Sequence, residues 1–188
     1  QISDQLWICP PWDLVPDTPN QIRITITPGL AFGTGTHATT QLCLQQIECQ
    51  ALKGLKVLDW GCGSGVLAIA ALRLGAGSAT GVDLDPKAMA ASRENALLNG
   101  VSDSLGLCRP DELGDGERYD LVVANILAGT IMDLAPTLER YLKPQGVLIL
   151  SGILATQADR VRACFAQYNL ISSHREEWAC LYGSRIAS

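Results

Sequence analysis

The sequence predicts one doubly wound α/β domain, on three observations. The apolar run Val57-Leu58 ends in an acid and then three glycines at alternate positions, Asp59-Trp60-Gly61-Cys62-Gly63-Ser64-Gly65. The helix former Val66-Leu67-Ala68-Ile69-Ala70-Ala71-Leu72 follows directly. That order reads as strand, tight turn and helix, the opening unit of a nucleotide-binding sheet. A second run ends in Thr80-Gly81-Val82-Asp83, placing an acid 22 positions past Gly61, where a strand tip meets the ribose hydroxyls of a bound adenosine. Beyond it, strand-like and helix-like segments alternate without repeats, and two strand-like runs close the chain.

The elements follow in order. Gln21 to Thr27 alternates at period two, a half-exposed strand ending before Pro28-Gly29. A helix runs from about His37 to Ala51. The helix after the glycine turn stops at Leu74-Gly75-Ala76-Gly77. Asp85-Pro86 gives an N-cap and first-turn proline to a helix that ends at Asn99-Gly100. A third strand lies around Leu105 to Cys108, and Tyr119 to Ala124 is a buried central strand by its apolar run. A helix from about Gly129 to Leu142 ends before Pro144, and Val147 to Leu150 forms the next strand. A helix over about Gln157 to Tyr168 precedes two strands, near Ile171 to Trp178 and Cys180 to Ile186, which close the sheet as an antiparallel pair. Residues 1–27 are expected to be a linker leading into a catalytic domain at 28–188.

Composition bounds the function. With 188 residues, 47% hydrophobic and 18% charged, the chain can bury a full core around one sheet. No apolar run reaches membrane-span length and no signal peptide is visible, so no membrane association is expected. The first residue is Gln1 rather than Met, consistent with a piece of something longer. Seven cysteines, scattered and without C-x-x-C spacing, argue against a metal site or a disulfide framework and for reduced thiols in the cytoplasm. A net charge of −5 argues against direct nucleic-acid binding and favours a basic partner.

The turn also discriminates between cofactors. Nicotinamide enzymes carry G-x-G-x-x-G beside a pyrophosphate. Here the pattern is G-x-G-x-G (Gly61, Gly63, Gly65), preceded by Asp59. A carboxylate is unwelcome beside pyrophosphate and acceptable beside a sulfonium cation, which favours S-adenosylmethionine, with S-adenosylhomocysteine as product. Two roles stand open for Asp59: tying down loop amides, or direct ligand contact. The elements and this donor together predict the class I seven-stranded methyltransferase fold, a Rossmann-like sheet with a terminal antiparallel hairpin.

Two further constellations carry chemistry. Phe32-Gly33-Thr34-Gly35-Thr36-His37-Ala38-Thr39-Thr40 leads a glycine-hydroxyl loop into a helix N-terminus, where free N–H groups and hydroxyls suit the donor's carboxylate. Plain capping by Thr36 is the alternative. Asn125 stands at the carboxyl end of the fourth strand, where ligands of open α/β sheets bind. Its amide can accept a hydrogen bond from an amine and hold the lone pair toward the donor methyl; capping the next helix is its other role. The candidate cofactor-binding residues are Thr36, His37, Thr40, Asp59, Gly61, Gly63, Gly65, Asp83 and Asn125, with Asn125 also the catalytic candidate. His37 is a candidate base set against a structural role at a helix start, and His174 has no motif around it. Asp111 or Glu112 is placed to receive the adenine amino group. Trp7, Trp12 and Trp178 are expected to pack against the sheet.

Residues 32–40, the 61–65 turn, Val82-Asp83-Leu84-Asp85-Pro86 and Val123-Ala124-Asn125-Ile126-Leu127-Ala128-Gly129 together resemble the PrmA family. These are bacterial methyltransferases of ribosomal protein L-eleven, and the similarity runs from about Pro28 to Gly183. The resemblance implies donor contacts at Thr40, Gly61, Asp83 and Asn125, and methylation of lysine side chains and an α-amino group, up to trimethyl products. It also implies a separate N-terminal substrate-recognition domain, which these residues do not include. Ala38 and Thr130 stand where many relatives have proline; neither touches the implied donor contacts. The alternatives are a methyltransferase acting on another protein, a nucleic acid or a small-molecule amine, and more distantly a nicotinamide dehydrogenase. Neither a basic strip nor a complete Asn-Pro-Pro-aromatic motif is present to favour nucleic acid.

Overall fold

In the computed structural model, residues 1–13, 21–29 and 35–186 are described. Two short strands, β1 (Leu6–Cys9) and β2 (Ile22–Thr25), precede α1 (Ala38–Glu48). Strand and helix then alternate through β3 (Lys56–Trp60), α2 (Val66–Arg73), β4 (Ser78–Val82), α3 (Pro86–Leu98), β5 (Leu105–Cys108), β6 (Tyr119–Asn125), α4 (Ala128–Tyr141), β7 (Leu142–Leu154) and α5 (Ala158–Cys164). The hairpin β8 (Ile171–Arg175) and β9 (Trp178–Ser184) ends the chain. The main sheet has the order β5-β4-β3-β6-β7-β9-β8. It is parallel from β5 to β7, and β9 pairs antiparallel with both β7 and β8.

Central parallel strands are covered on both faces, so they read as continuous apolar runs. Alternation then sends successive side chains into opposite layers. Leu58, Trp60, Val122, Ala124, Leu148 and Leu150 pack with Ile131 and Leu138 of α4 and with Phe165 just after α5. Val57, Leu121, Val123 and Ile149 pack on the other side with Leu42, Ile47 and Ile69 of α1 and α2. Strand order reverses at β3, which lies between β4 and β6. The crevice outside the carboxyl ends of β3 and β6 is therefore the place where such sheets bind ligands.

Residues 1–13 and 21–27 add a small parallel sheet, with Leu6 opposite Ile22 and Cys9 opposite Thr25. The sequence pattern exposed β2 but not β1. Leu6, Ile24 and Ile26 are buried in the α1–α2 layer of the core.

Several boundaries differ from the expected ones. β7 spans 13 residues because Leu142 pairs with Tyr119 directly at the end of α4, and because the strand continues past a bulge between Leu150 and Ile153. α5 stops at Cys164: Tyr168 bridges Arg185, and the Asn169 N–H donates to the Ser184 carbonyl at 2.9 Å, so the chain is already extended there. The last hairpin turns at Glu176, whose φ is +54°, and Trp178 opens β9 instead of closing β8. Trp12, expected to pack on the sheet, is 70% exposed.

Gly152 makes the β7 bulge possible. Its φ is +82°, and a Cβ there would overlap the carbonyl oxygen of Ile126. Gly152→Ala is expected to cost about 1–3 kcal/mol from the backbone region alone, and more from the overlap. Thermal unfolding checks this: an unchanged midpoint would mean that the β6–β7 junction relaxes freely.

Candidate active site

The three glycines of the turn after β3 all have left-handed backbones, with φ of +75° at Gly61, +54° at Gly63 and +79° at Gly65. That region disfavours any side chain. At Gly61 there is no room either, since a Cβ would come within 2.5 Å of Ile126 Cγ2 in the segment after β6. The turn and the end of β6 therefore approach closely.

The fold holds this backbone at nearly every step. The N–H groups of Gly61 and Cys62 donate to the Val82 carbonyl at 2.7 and 3.0 Å, tying the turn to the end of β4. The Gly63 N–H donates to Asp83 Oδ2 at 2.9 Å, and Asp83 Oδ1 accepts from the Asp85 N–H at 3.0 Å. Gly65 sits at the N-cap of α2 and has no side chain to cap it. Asp59 supplies that cap from the end of β3, its Oδ2 accepting from the Ala68 N–H at 3.2 Å.

Asp59 is 1% exposed, and its Oδ1 has no hydrogen-bond partner. Burial pushes its carboxyl up to about 7; the Ala68 N–H opposes that rise and the charge of Asp83 adds to it. Burial also raises the Cys62 thiol, with Asp59 adding to the rise, so this thiol has little thiolate character.

α1 opens beside the crevice, where Thr40 meets the end of β6. Its N-cap is His37, not Thr36: Nδ1 accepts from the Thr39 N–H at 3.3 Å and lies 2.9 Å from Thr39 Oγ1. With Nδ1 accepting a backbone N–H, its lone pair is engaged at the helix start. The ring packs edge-on against Trp178, with centroids 5.1 Å apart. The Thr36 carbonyl accepts from Gln41 Nε2 at 3.0 Å. Phe32, Gly33 and Thr34 lie outside the described residues.

Thr40 and Asn125, 85 residues apart in sequence, meet here: Asn125 Nδ2 donates to Thr40 Oγ1 at 3.2 Å. Asn125 does not cap the next helix, because the N-cap of α4 is Leu127, without a side-chain cap bond. The segments that follow Asn125 and its register partner Ser151 help to line a cavity of about 360 Å³, with Leu127, Gly129, Gly152, Leu154 and Trp178 among its walls.

The other candidate side chains have partners of their own. Asp111 pairs with Arg109 at 3.3 Å, and Glu112 accepts the Arg109 N–H at 2.8 Å. His174 is on the exposed edge strand β8, where Nε2 lies 3.2 Å from Ser172 Oγ. Among the described residues no cluster fit to hold a metal occurs.

Sequence reasoning missed the polar face of α3. Ser92 and Asn95 are fully buried; Ser92 Oγ donates to the Gly63 carbonyl at 2.8 Å, and Asn95 Nδ2 donates to the Ser64 carbonyl at 2.9 Å. The signal was available in the helical spacing of Ala88, Ala91, Ser92, Asn95 and Asn99, a stripe of small and amide side chains where an apolar stripe is usual.

The family described as ribosomal protein L11 methyltransferase (PrmA) matches residues 1–186. The chain belongs to this family. A ribosomal protein L11 methyltransferase of Enterobacter sp. (strain 638) is 50% identical over 98% of this chain, which spans 64% of that relative's length. The crystal structure of a ribosomal protein L11 methylase from Lactobacillus delbrueckii subsp. bulgaricus is 39% identical. It superposes with a TM-score of 0.90, covering 98% of this chain and 97% of that one. An RNA methyltransferase from Salinibacter ruber, solved with S-adenosyl-L-homocysteine, shares the fold alone at 19% identity and a TM-score of 0.59, over 74% of this chain and 87% of its own. The architecture is that of the class I methyltransferases.

Asp59 makes stability depend on pH. Unfolded, its carboxyl ionises near 3.8; folded, it stays protonated up to about 7. Between those values the folded chain holds more protons, so this group's contribution to stability falls as pH rises through the window and is level above it. Between about pH 4.5 and 8 the wild type should lose roughly 2–4 kcal/mol more than Asp59→Asn. Denaturant unfolding at both pH values checks this, and parallel losses would rule it out.

Proposed function

We propose that this chain is the catalytic part of a cytoplasmic S-adenosylmethionine-dependent N-methyltransferase. Its substrates are lysine ε-amino groups and the N-terminal α-amino group of ribosomal protein L11. The observation that carries the proposal is the Thr40–Asn125 pair, which joins the N-terminus of α1 to the end of β6 beside the glycine turn, in a chain of the L11 methyltransferase family. The seven cysteines are all free thiols, which suits a reducing compartment. No described helix is long and apolar enough to cross a membrane.

The residues fit the donor. At Gly61 and Gly65 a Cβ would meet Ile126 at 2.5 Å and Ser92 at 2.8 Å, so glycine lets the turn seat against its neighbours and offer the donor bare backbone. Each Asp83 oxygen already accepts one backbone N–H and keeps a further lone pair for a ribose hydroxyl. The unpartnered buried Oδ1 of Asp59 suits the cationic end of the molecule, and Thr36, His37 and Thr40 stand at a helix N-terminus suited to its carboxylate. When bound, S-adenosylmethionine supplies a methyl group activated by its sulfonium.

The chain's own task is alignment and exclusion of water. A free lysine amine has a pKa of about 10.4 and arrives protonated. The apolar walls given by Leu127, Leu154 and Trp178 favour the neutral amine by desolvating it. Its proton leaves to water, since His37 Nδ1 is engaged. Asn125 Oδ1, whose Nδ2 is fixed by Thr40, accepts an amine N–H and turns the lone pair toward the methyl. Few polar contacts let the amine rotate between successive transfers. The net charge of −5 suits a basic protein substrate and offers no footprint for nucleic acid.

Asn125→Ala is expected to lower kcat at least about tenfold, roughly 1.4 kcal/mol, with donor Kd changed less than about threefold. Equal losses in both would assign Asn125 to donor binding alone. The activity itself is tested by incubating unmethylated L11 with S-adenosylmethionine and this chain, with the full-length Enterobacter relative alongside, and recording the intact mass. Stepwise gain of methyl groups is expected. Gain with the relative only would make this chain a core that cannot present its substrate by itself, and donor binding without gain by either would discard L11 as substrate.

A further inference from the structure

The polar face of α3 touches more than the glycine turn. β2 pairs with β1 on one edge, and the Ile26 N–H continues that edge to the Cys9 carbonyl at 3.0 Å. Among the described residues the opposite edge has no partner strand; two asparagines take its place. Asn99 Oδ1 accepts from the Thr25 N–H at 2.8 Å, and Asn99 Nδ2 donates to the Thr25 carbonyl at 2.7 Å. Asn95 Oδ1 accepts from the Thr27 N–H at 3.0 Å. The two side chains lie four apart on one helix face and match the two-residue repeat of N–H groups along one strand edge. Asn99 Nδ2 also bonds the Asn95 carbonyl at 2.7 Å, which locks the pair.

Asn95 thus holds two backbone segments with one amide: Thr27 through Oδ1 and Ser64 through Nδ2. Thr27 precedes the chain that leads to Thr36, His37 and Thr40; Ser64 stands between Gly63 and Gly65. An amide group has a fixed spacing between its oxygen and nitrogen, so neither segment can shift without breaking a buried bond. Leaving either backbone group unpaired would cost a full desolvation penalty.

We propose that Asn95 is a positioning residue that couples these two segments, so that donor affinity depends on how the β1–β2 pair is seated. This rests on the donor site described under Proposed function. Binding at the glycine turn then tightens Thr27, and loosening Thr27 weakens binding, as reciprocity requires.

The test uses the whole chain with S-adenosylhomocysteine as probe, following hydrogen exchange of the Thr27 amide by NMR and affinity by calorimetry. In the wild type the probe should slow exchange at Thr27 at least about fivefold. Asn95→Asp keeps an acceptor for Thr27 but offers the Ser64 carbonyl no donor. It should weaken binding at least about fivefold and abolish the slowing, at a temperature where circular dichroism shows the variant fully folded. A lower melting temperature with unchanged affinity and unchanged slowing would mean a purely structural residue and overturn the proposal. If the variant does not fold, the wild type decides: slowing at Thr27 supports the coupling, and no slowing despite binding overturns it. A wild type that does not bind the probe overturns the donor site itself, an outcome distinct from the others.

Discussion

The structure depends on a five-residue turn whose glycines all have left-handed backbones. Such a turn has almost no side chains with which to hold itself, and its backbone groups need partners wherever water is excluded. The neighbours supply them. The Val82 carbonyl and Asp83 take N–H groups from one side, while Ser92 and Asn95 donate to the carbonyls from the other. A turn built this way is fixed in shape by its neighbours rather than by its own side chains.

The same need explains the placement of charge. The N-terminus of α2 opens at a glycine that cannot cap it; Ser64 Oγ takes the Val66 N–H, and Asp59 reaches in from the adjacent strand to take that of Ala68. Burying that carboxylate near Asp83 is costly, and the cost appears as a proton affinity raised to about 7. One oxygen is used by the helix and the other is unsatisfied. Of the two roles left open by the sequence, the structure shows the first: the residue ties down an amide of α2.

The first residues of the chain belong to this scheme. Leu6, Ile24 and Ile26 complete the core beside α1 and α2, and the asparagines of α3 bind the outer edge of β2. What precedes the glycine turn by more than 30 residues is therefore held to it through one helix face.

The order of elements, the strand–turn–helix unit, Asp83 at a strand tip and the Asp85–Pro86 helix start were legible in the sequence, because each depends on local chemistry: apolar periodicity, backbone freedom at glycine, and capping. Thr40 and Asn125 were legible separately, each at the end of its own element, but their hydrogen bond exists only because the sheet sets α1 beside β6. The N-cap passed from Thr36 to His37 by a margin of one residue that local pattern does not resolve. β1 escaped notice because four residues bury a face only against a partner found elsewhere in the chain. Ser92, Asn95 and Asn99 share one helical stripe with Ala88 and Ala91, but only packing sets which backbone groups that stripe meets. The sequence by itself determined which segments are strands, turns and helices around the glycine loop, since those choices are made by neighbours along the chain. Only the tertiary structure decided which polar groups meet across it, because a buried hydrogen bond is specified by two distant residues and by the packing that excludes water from both.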